Sequence, residues 1–114
     1  MDIRVIKESV PKAVAVEIAK EFYVDMIKGA VDVERGIIAL GGEWHSDANE
    51  VLLQDGSAQS SVWGFNFYLN KSGREQIECH SLINIRPTEG NYSMLVENPE
   101  IEEKIRSLAQ RLIL

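Results

Sequence analysis

The chain has 114 residues, 45% of them hydrophobic and 26% charged, which is the size and composition of one globular domain. Its formal net charge of −6, with no clustered Lys or Arg, excludes a nucleic-acid surface, which needs a basic stripe, and argues against membrane contact. One cysteine, Cys79, excludes an intramolecular disulfide and a Cys-based zinc site within one chain.

The start, MDIRVIKE, lacks the apolar stretch of a secretion signal, and no apolar run approaches the roughly eighteen residues of a spanning helix. The expected location is cytoplasmic. A chain this short buries only about two-thirds of its unfolded surface, so stability borrowed from a second copy is an expectation from the outset.

Residues 2–7 alternate weakly and read as a first strand. Ser9 and Pro11 mark a helix start, and Val14, Ala15, Ile18, Ala19 and Phe22 recur at helical spacing, so a helix is predicted over 11–22. A strand follows at 26–33, with Ile27, Val31 and Val33 on one side and Lys28, Ala30 and Asp32 on the other. Glu34-Arg35-Gly36 fits a three-residue hairpin loop with Gly in the left-handed conformation. That loop sets Val33 opposite Ile37 and Val31 opposite Ala39, in the middle of a sheet covered on both sides.

The apolar run 37–40 breaks at Gly41-Gly42, and Glu43, Trp44, His45, Asp47 and Glu50 then crowd together. A short helix is predicted over 48–54, with Asp47 as its N-cap and Glu50 completing a capping box. Residues 62–69 give the clearest strand: Trp63, Phe65, Phe67 and Leu69 face one way, Gly64, Asn66 and Tyr68 the other. After the turn at 70–73, residues 76–86 read as its partner. Keeping apolar residues together pairs Phe67 with Ile77 and Phe65 with Cys79, and sets Asn66 beside Glu78 and Gly64 beside His80. A short strand at 92–96 leads to Asn98-Pro99-Glu100, a strong helix start. Ile101, Ile105, Leu108 and Leu112 form one apolar stripe on the helix that follows. The fold class is α+β: one domain over 1–114, a mostly antiparallel sheet of five to six strands, two main helices and one short helix.

Two constellations carry chemistry. Glu43, His45 and Asp47 stand at i, i+2 and i+4, which on an extended segment point the same way. A carboxylate–imidazole–carboxylate trio is a divalent-metal ligand set, though helix capping alone would account for Asp47 and Glu50. The second is the polar face of the paired strands, carrying Asn66, Tyr68, Glu78, His80, Asn84 and Arg86. Such a face could recognise a small polar or anionic ligand, with Arg86 as a charge-assisted donor, and is otherwise a solvated sheet surface. Cys79 and His80 are adjacent on a strand, so they point to opposite faces and make no nucleophile–base pair. Cys79 is expected to be buried. No phosphate loop, nucleophile elbow or His-Glu-x-x-His is present.

The stretches Gly41-Gly42-Glu43-Trp44-His45-Ser46-Asp47, EVLLQDG from Glu50, Trp63-Gly64-Phe65-Asn66 and Ser81-Leu82-Ile83-Asn84-Ile85-Arg86-Pro87 together resemble a family of small prokaryotic proteins known only as a domain of unknown function. The resemblance spans nearly the full chain and implies a single-domain soluble protein. It implies no activity, cofactor or catalytic residue.

Two functional readings stand. The first is a ligand-binding or protein-interaction module that pairs as a homodimer, through its last helix or the face that helix leaves uncovered, with Ile113 and Leu114 adding to the apolar end. The alternative is a small metal-dependent hydrolase centred on Glu43, His45 and Asp47, with Glu50 or His80 carrying a proton. Nucleic acid and membrane are not expected partners. The candidate ligand-binding residues are Glu43, His45, Asp47, Asn66, His80, Asn84 and Arg86.

Overall fold

Alternation of aromatic with small or polar residues builds one of two long strands at the middle of the sheet. In the computed structural model, which describes residues 2–114, this strand is β4 (Val62–Tyr68). It lies between β2 (Met26–Asp32) and β5 (Ile77–Glu78). β3 (Ile37–Leu40) and β1 (Arg4–Ile6) continue the sheet beyond β2, giving the order β1-β3-β2-β4-β5 with every pairing antiparallel. Three helices complete the α+β fold: α1 (Lys12–Ala19), α2 (His45–Gln54) and α3 (Pro99–Leu112).

The sheet is covered on both sides. On one side Ile27, Val31, Ile38, Leu40, Phe65, Phe67 and Ile77 meet Ala15 and Ile18 of α1 and Ile105, Leu108 and Leu112 of α3. On the other, Ala30, Ile37, Ala39 and Val62 meet Ala48 and Leu52 of α2. Each fully buried aromatic or large aliphatic side chain stabilises by about 1.5–3 kcal/mol, so the first layer carries most of the fold's hydrophobic stabilisation.

α3 starts as the sequence predicts. Asn98 Oδ1 accepts from the Glu100 and Ile101 N–H groups at 2.9 and 3.4 Å, and Pro99 fills the first position, where a missing N–H costs nothing. Its far end docks on the chain itself. Ile113 forms a parallel bridge with Val10, the Val10 N–H donates to Leu112 O and the Leu114 N–H to Val10 O, each at 2.9 Å. Leu112 and Ile113 are buried there, and only Leu114 stays exposed. The apolar stripe offered above as a reason for two copies to pair therefore closes the protomer's own core.

The structure corrects several expectations. The β2–β3 turn has four residues, 33–36, because the Asp32 carboxylate accepts from the Glu34 and Arg35 N–H groups at 2.9 and 3.0 Å while Asp32 O accepts from Gly36. Gly36 is left-handed at φ 70°, as expected. The longer turn slides the register by one, so Val31 faces Ile38 and Ala30 faces Ala39. Helix α1 stops at Ala19, leaving Phe22 exposed. Helix α2 begins at His45, three residues before the predicted start, with Trp44 as N-cap. Residues 92–96 form no strand and only a single bridge, Leu95 to His80.

The predicted strand 76–86 survives only as β5. Its register is as expected, Phe67 opposite Ile77 and Asn66 opposite Glu78. Beyond Glu78 the chain leaves the ladder, so the expected pair of Phe65 with Cys79 is not made, and it turns through a short 3-10 helix, Leu82–Asn84, across the sheet. Gly64 permits this. A Cβ there would sit 2.5 Å from Ser81 Cβ, so any larger residue would push the crossing segment off the strand. Among the described residues no helix is long and apolar enough to cross a membrane.

Candidate functional site

The start of α2 is held against the sheet by three local devices. Gly41, at φ 119°, allows a backbone approach to Asp2 that no side chain would tolerate, since a Cβ would lie 2.2 Å from Asp2 O. Tyr23 donates its hydroxyl to Glu43 O at 2.7 Å. Asp47 accepts from the Trp44 N–H at 3.0 Å, closing the first turn. His45, the first helical residue, is thereby set over β4. Its Nε2 lies 2.8 Å from Asn66 Oδ1 and 3.1 Å from Phe65 O.

This geometry settles the tautomer. Asn66 donates Nδ2–H to Glu78 Oε1 at 2.9 Å, which leaves Asn66 Oδ1 as an acceptor toward His45. Both neighbours of Nε2 are acceptors, so Nε2 carries the proton and Nδ1 is a bare lone pair. Burial holds the His45 pKa below the ordinary 6.5, against the opposing hydrogen bond to Asn66, and the nearby Lys28 charge pushes the same way as burial. The imidazole is therefore neutral at neutral pH. Glu78 anchors the relay: it also accepts from Tyr68 OH at 2.7 Å. The hydrogen bonds from Asn66 and Tyr68 hold its carboxyl below the usual range. Burial and the bond to Glu78 push the Tyr68 phenol up to about 12.

A cleft of about 510 Å³ opens beside this relay. One wall is the start of α2, with Trp44, His45 and Ser46; the floor is Met26, Lys28 and Asn66 of the sheet; the far wall is 80–83 with Met94. Lys28 stands opposite Asn66 in the β2–β4 register. Its ammonium lies 5.0 Å from the ring centres of both Tyr23 and Trp44, within cation–π range of each. The Trp44 indole is otherwise well exposed, at 58%. The mixture of apolar walls and a few convergent polar groups is what small-molecule sites share.

The residues proposed from the sequence separate into three groups. His45, Asn66 and His80 line the cleft. Glu43 is exposed, and Asp47 is engaged by the helix cap. The trio Glu43, His45 and Asp47 is not assembled, because His45 begins a helix and the i, i+2, i+4 spacing then spreads around its axis instead of along one side. Among the described residues no group of three or more His, Cys, Asp or Glu is placed to hold a metal ion.

Asn84 and Arg86 are structural pins, not members of an open polar face. Asn84, fully buried, accepts from the Gly64 N–H at 2.8 Å and donates to Gly64 O and Met94 O. Arg86 lies 4.3 Å from the Trp63 ring and donates to Gln59 O, Ile83 O and Val62 O; burial lowers its pKa. Cys79 is buried in the aromatic layer while His80 reaches the cleft, so the two do point apart. Burial pushes the Cys79 thiol up to about 11.

The sequence reading missed Lys28 and Trp44 as site residues, along with the apolar walls. Two signals were there to be used. A lysine in the middle of a central strand needs a polar or aromatic setting, and a tryptophan at a helix start displaces the Ser, Asp or Asn that caps best.

No curated protein and no solved structure matches this chain. The family model described as "Protein of unknown function (DUF5674)" matches residues 4–112, nearly the whole chain, and the protein belongs to that family.

Proposed function

We propose that the protein binds a small molecule in the cleft between the start of α2 and residues 80–83. The observation that carries this is His45: one ring nitrogen, Nε2, is held by the Asn66–Glu78 relay, the residue lines a cleft of about 510 Å³, and among the described residues no hydrogen bond engages Nδ1. Trp44 adds support. The indole has no acceptor for the first-turn N–H groups and makes no cap hydrogen bond, so its place at the N-cap is accounted for by what it does at the cleft wall. The hydrolase reading loses its support with the dispersal of Glu43, His45 and Asp47.

A fragment screen followed by amide NMR shifts tests the reading. Bound fragments should move the Lys28, Ser46 and Leu82 amides together. Fragments that cluster elsewhere, or none binding below about 10 mM, would overturn it.

A further inference from the structure

We infer that the ligand is a small monoanionic hydroxy acid with an aromatic or branched apolar body. This rests on the binding role proposed above and narrows it to a chemical class.

Among the described residues nothing donates to His45 Nδ1. Its neighbour on the ring is fixed as N–H by Asn66 Oδ1 and Phe65 O, so Nδ1 can only accept, and the group it meets must carry an O–H or N–H. Lys28 lacks an anion. Its ammonium lies against two aromatic rings. Among the described residues no carboxylate pairs with it, in a chain whose acids outnumber its lysines and arginines 18 to 12. Cation–π contacts partly desolvate such a charge without neutralising it, so a carboxylate arriving there gains more than it would at an open surface.

Spacing ties the two needs to one molecule. Lys28 and Asn66 are directly paired across the β2–β4 ladder, and Asn66 holds the imidazole. Cross-strand neighbours stand about 4.5–5.5 Å apart at Cβ. Lys28 and His45 line the same cleft, so one molecule seated there can meet both the cation and the imidazole. One lysine matches one negative charge, and Glu78, whose Oε1 already accepts from Asn66 and Tyr68, stands behind the relay as an unfavourable neighbour for a second. The remaining walls, Met26, Trp44, Leu82, Ile83 and Met94, suit an apolar body. Two thioethers and an indole adapt to a flat ring better than branched aliphatic walls do.

The test uses three probes on one skeleton: mandelate, phenylacetate, which lacks the hydroxyl, and mandelamide, which lacks the charge. Affinities come from the shifts of the Lys28, Ser46 and Leu82 amides. Mandelate should bind at least about tenfold more tightly than either analogue, because a site built around a hydrogen bond rejects the compound that cannot make it. Lys28→Met should bring mandelate and mandelamide to within about threefold, with the hydroxyl preference intact. His45→Phe should do the converse, removing the preference over phenylacetate. Should His45→Phe fail to fold, the wild-type ratios and Lys28→Met decide alone. Equal affinities for the three probes, or a charge preference that survives Lys28→Met, overturns the hydroxy-acid class. If none of the three binds while neutral fragments still shift these amides, the class falls and the binding role stands. If nothing shifts them, both fall.

Discussion

Beneath α1 and α3 the sheet presents Phe65, Phe67, Ile27 and Leu40 in one dry layer. Turned over, the same strands present Lys28, Ala30, Gly64 and Asn66, covered by α2 over only part of their length. The pleat makes this possible, because neighbouring residues on one strand belong to opposite faces. The difference lies in what each face can lose. The dry face holds interchangeable apolar volume whose value is its sum. The other holds small residues that let α2 and residues 81–84 come close, and a relay in which every hydrogen bond sets the direction of the next. Stability should therefore be sensitive to the first face, and binding to the second.

The largest effect should come from the dry face. Phe65→Ala leaves a cavity under Gly29, whose absent Cβ now makes room for the ring at 2.8 Å, and should cost about 3–5 kcal/mol in denaturant unfolding. A loss below about 1 kcal/mol would mean the layer is less tightly packed than described. Next is Gly64→Ala, which drives a methyl into Ser81 and should cost about 1–3 kcal/mol by overpacking. Faster amide exchange should be confined to residues 81–84 and 94–96. If the variant is as stable as the parent, the crossing segment does not lie on the strand.

A smaller effect follows from pH. The folded pKa of His45 lies below its unfolded value near 6.5. Below 6.5 the unfolded chain takes up the proton first, so stability should fall as pH drops from 6.5 to the folded value and be unaffected above 6.5. Glu78 acts at lower pH: its depressed pKa gives stability that is present above 4.5 and lost as pH falls through its folded value. Chemical denaturation across this range should show the upper slope in the parent protein and not in His45→Gln. A slope unchanged by that substitution assigns it to another group.

The smallest effect on stability, and the sharpest contrast between the faces, is expected for Trp44→Ser. Serine is a better N-cap, worth about 1 kcal/mol, while losing the Lys28 contact costs about 0.5–1 kcal/mol at an exposed site. Unfolding should move by no more than about 0.5 kcal/mol, yet cleft affinity should weaken several-fold. Undiminished binding would remove Trp44 from the site.

The sequence made the dry face legible because its signal is periodic. The alternation of Trp63, Phe65 and Phe67, the Asn98-Pro99 start of α3 and the pairing of Phe67 with Ile77 could all be read from residue type and spacing, and Asn66 and Glu78 came into register with them. The other face depends on side chains that bond to backbone across distant segments, which no periodicity reveals. The Asp32 carboxylate lengthened a turn and shifted a register. Asn84 reached Gly64, twenty positions away, and took residues 81–86 out of the ladder. Two of the proposed site residues, Asn84 and Arg86, became pins for that reason. His45 and Asn66 met only because α2 begins earlier than the apolar pattern suggests, and Lys28 joined them through strand pairing.

The bridge between Val10 and Ile113 also bears on how the protein is made. The segment just before α1 is made well before the residues it pairs with, 112–114. Until those residues emerge, the aromatic layer has no α3 to cover it, and Phe65, Phe67 and Leu40 stay uncovered on that side. Closure of that layer is therefore completed only after translation has passed residue 113, and a pause before that point prolongs the period in which the chain can aggregate or recruit a chaperone.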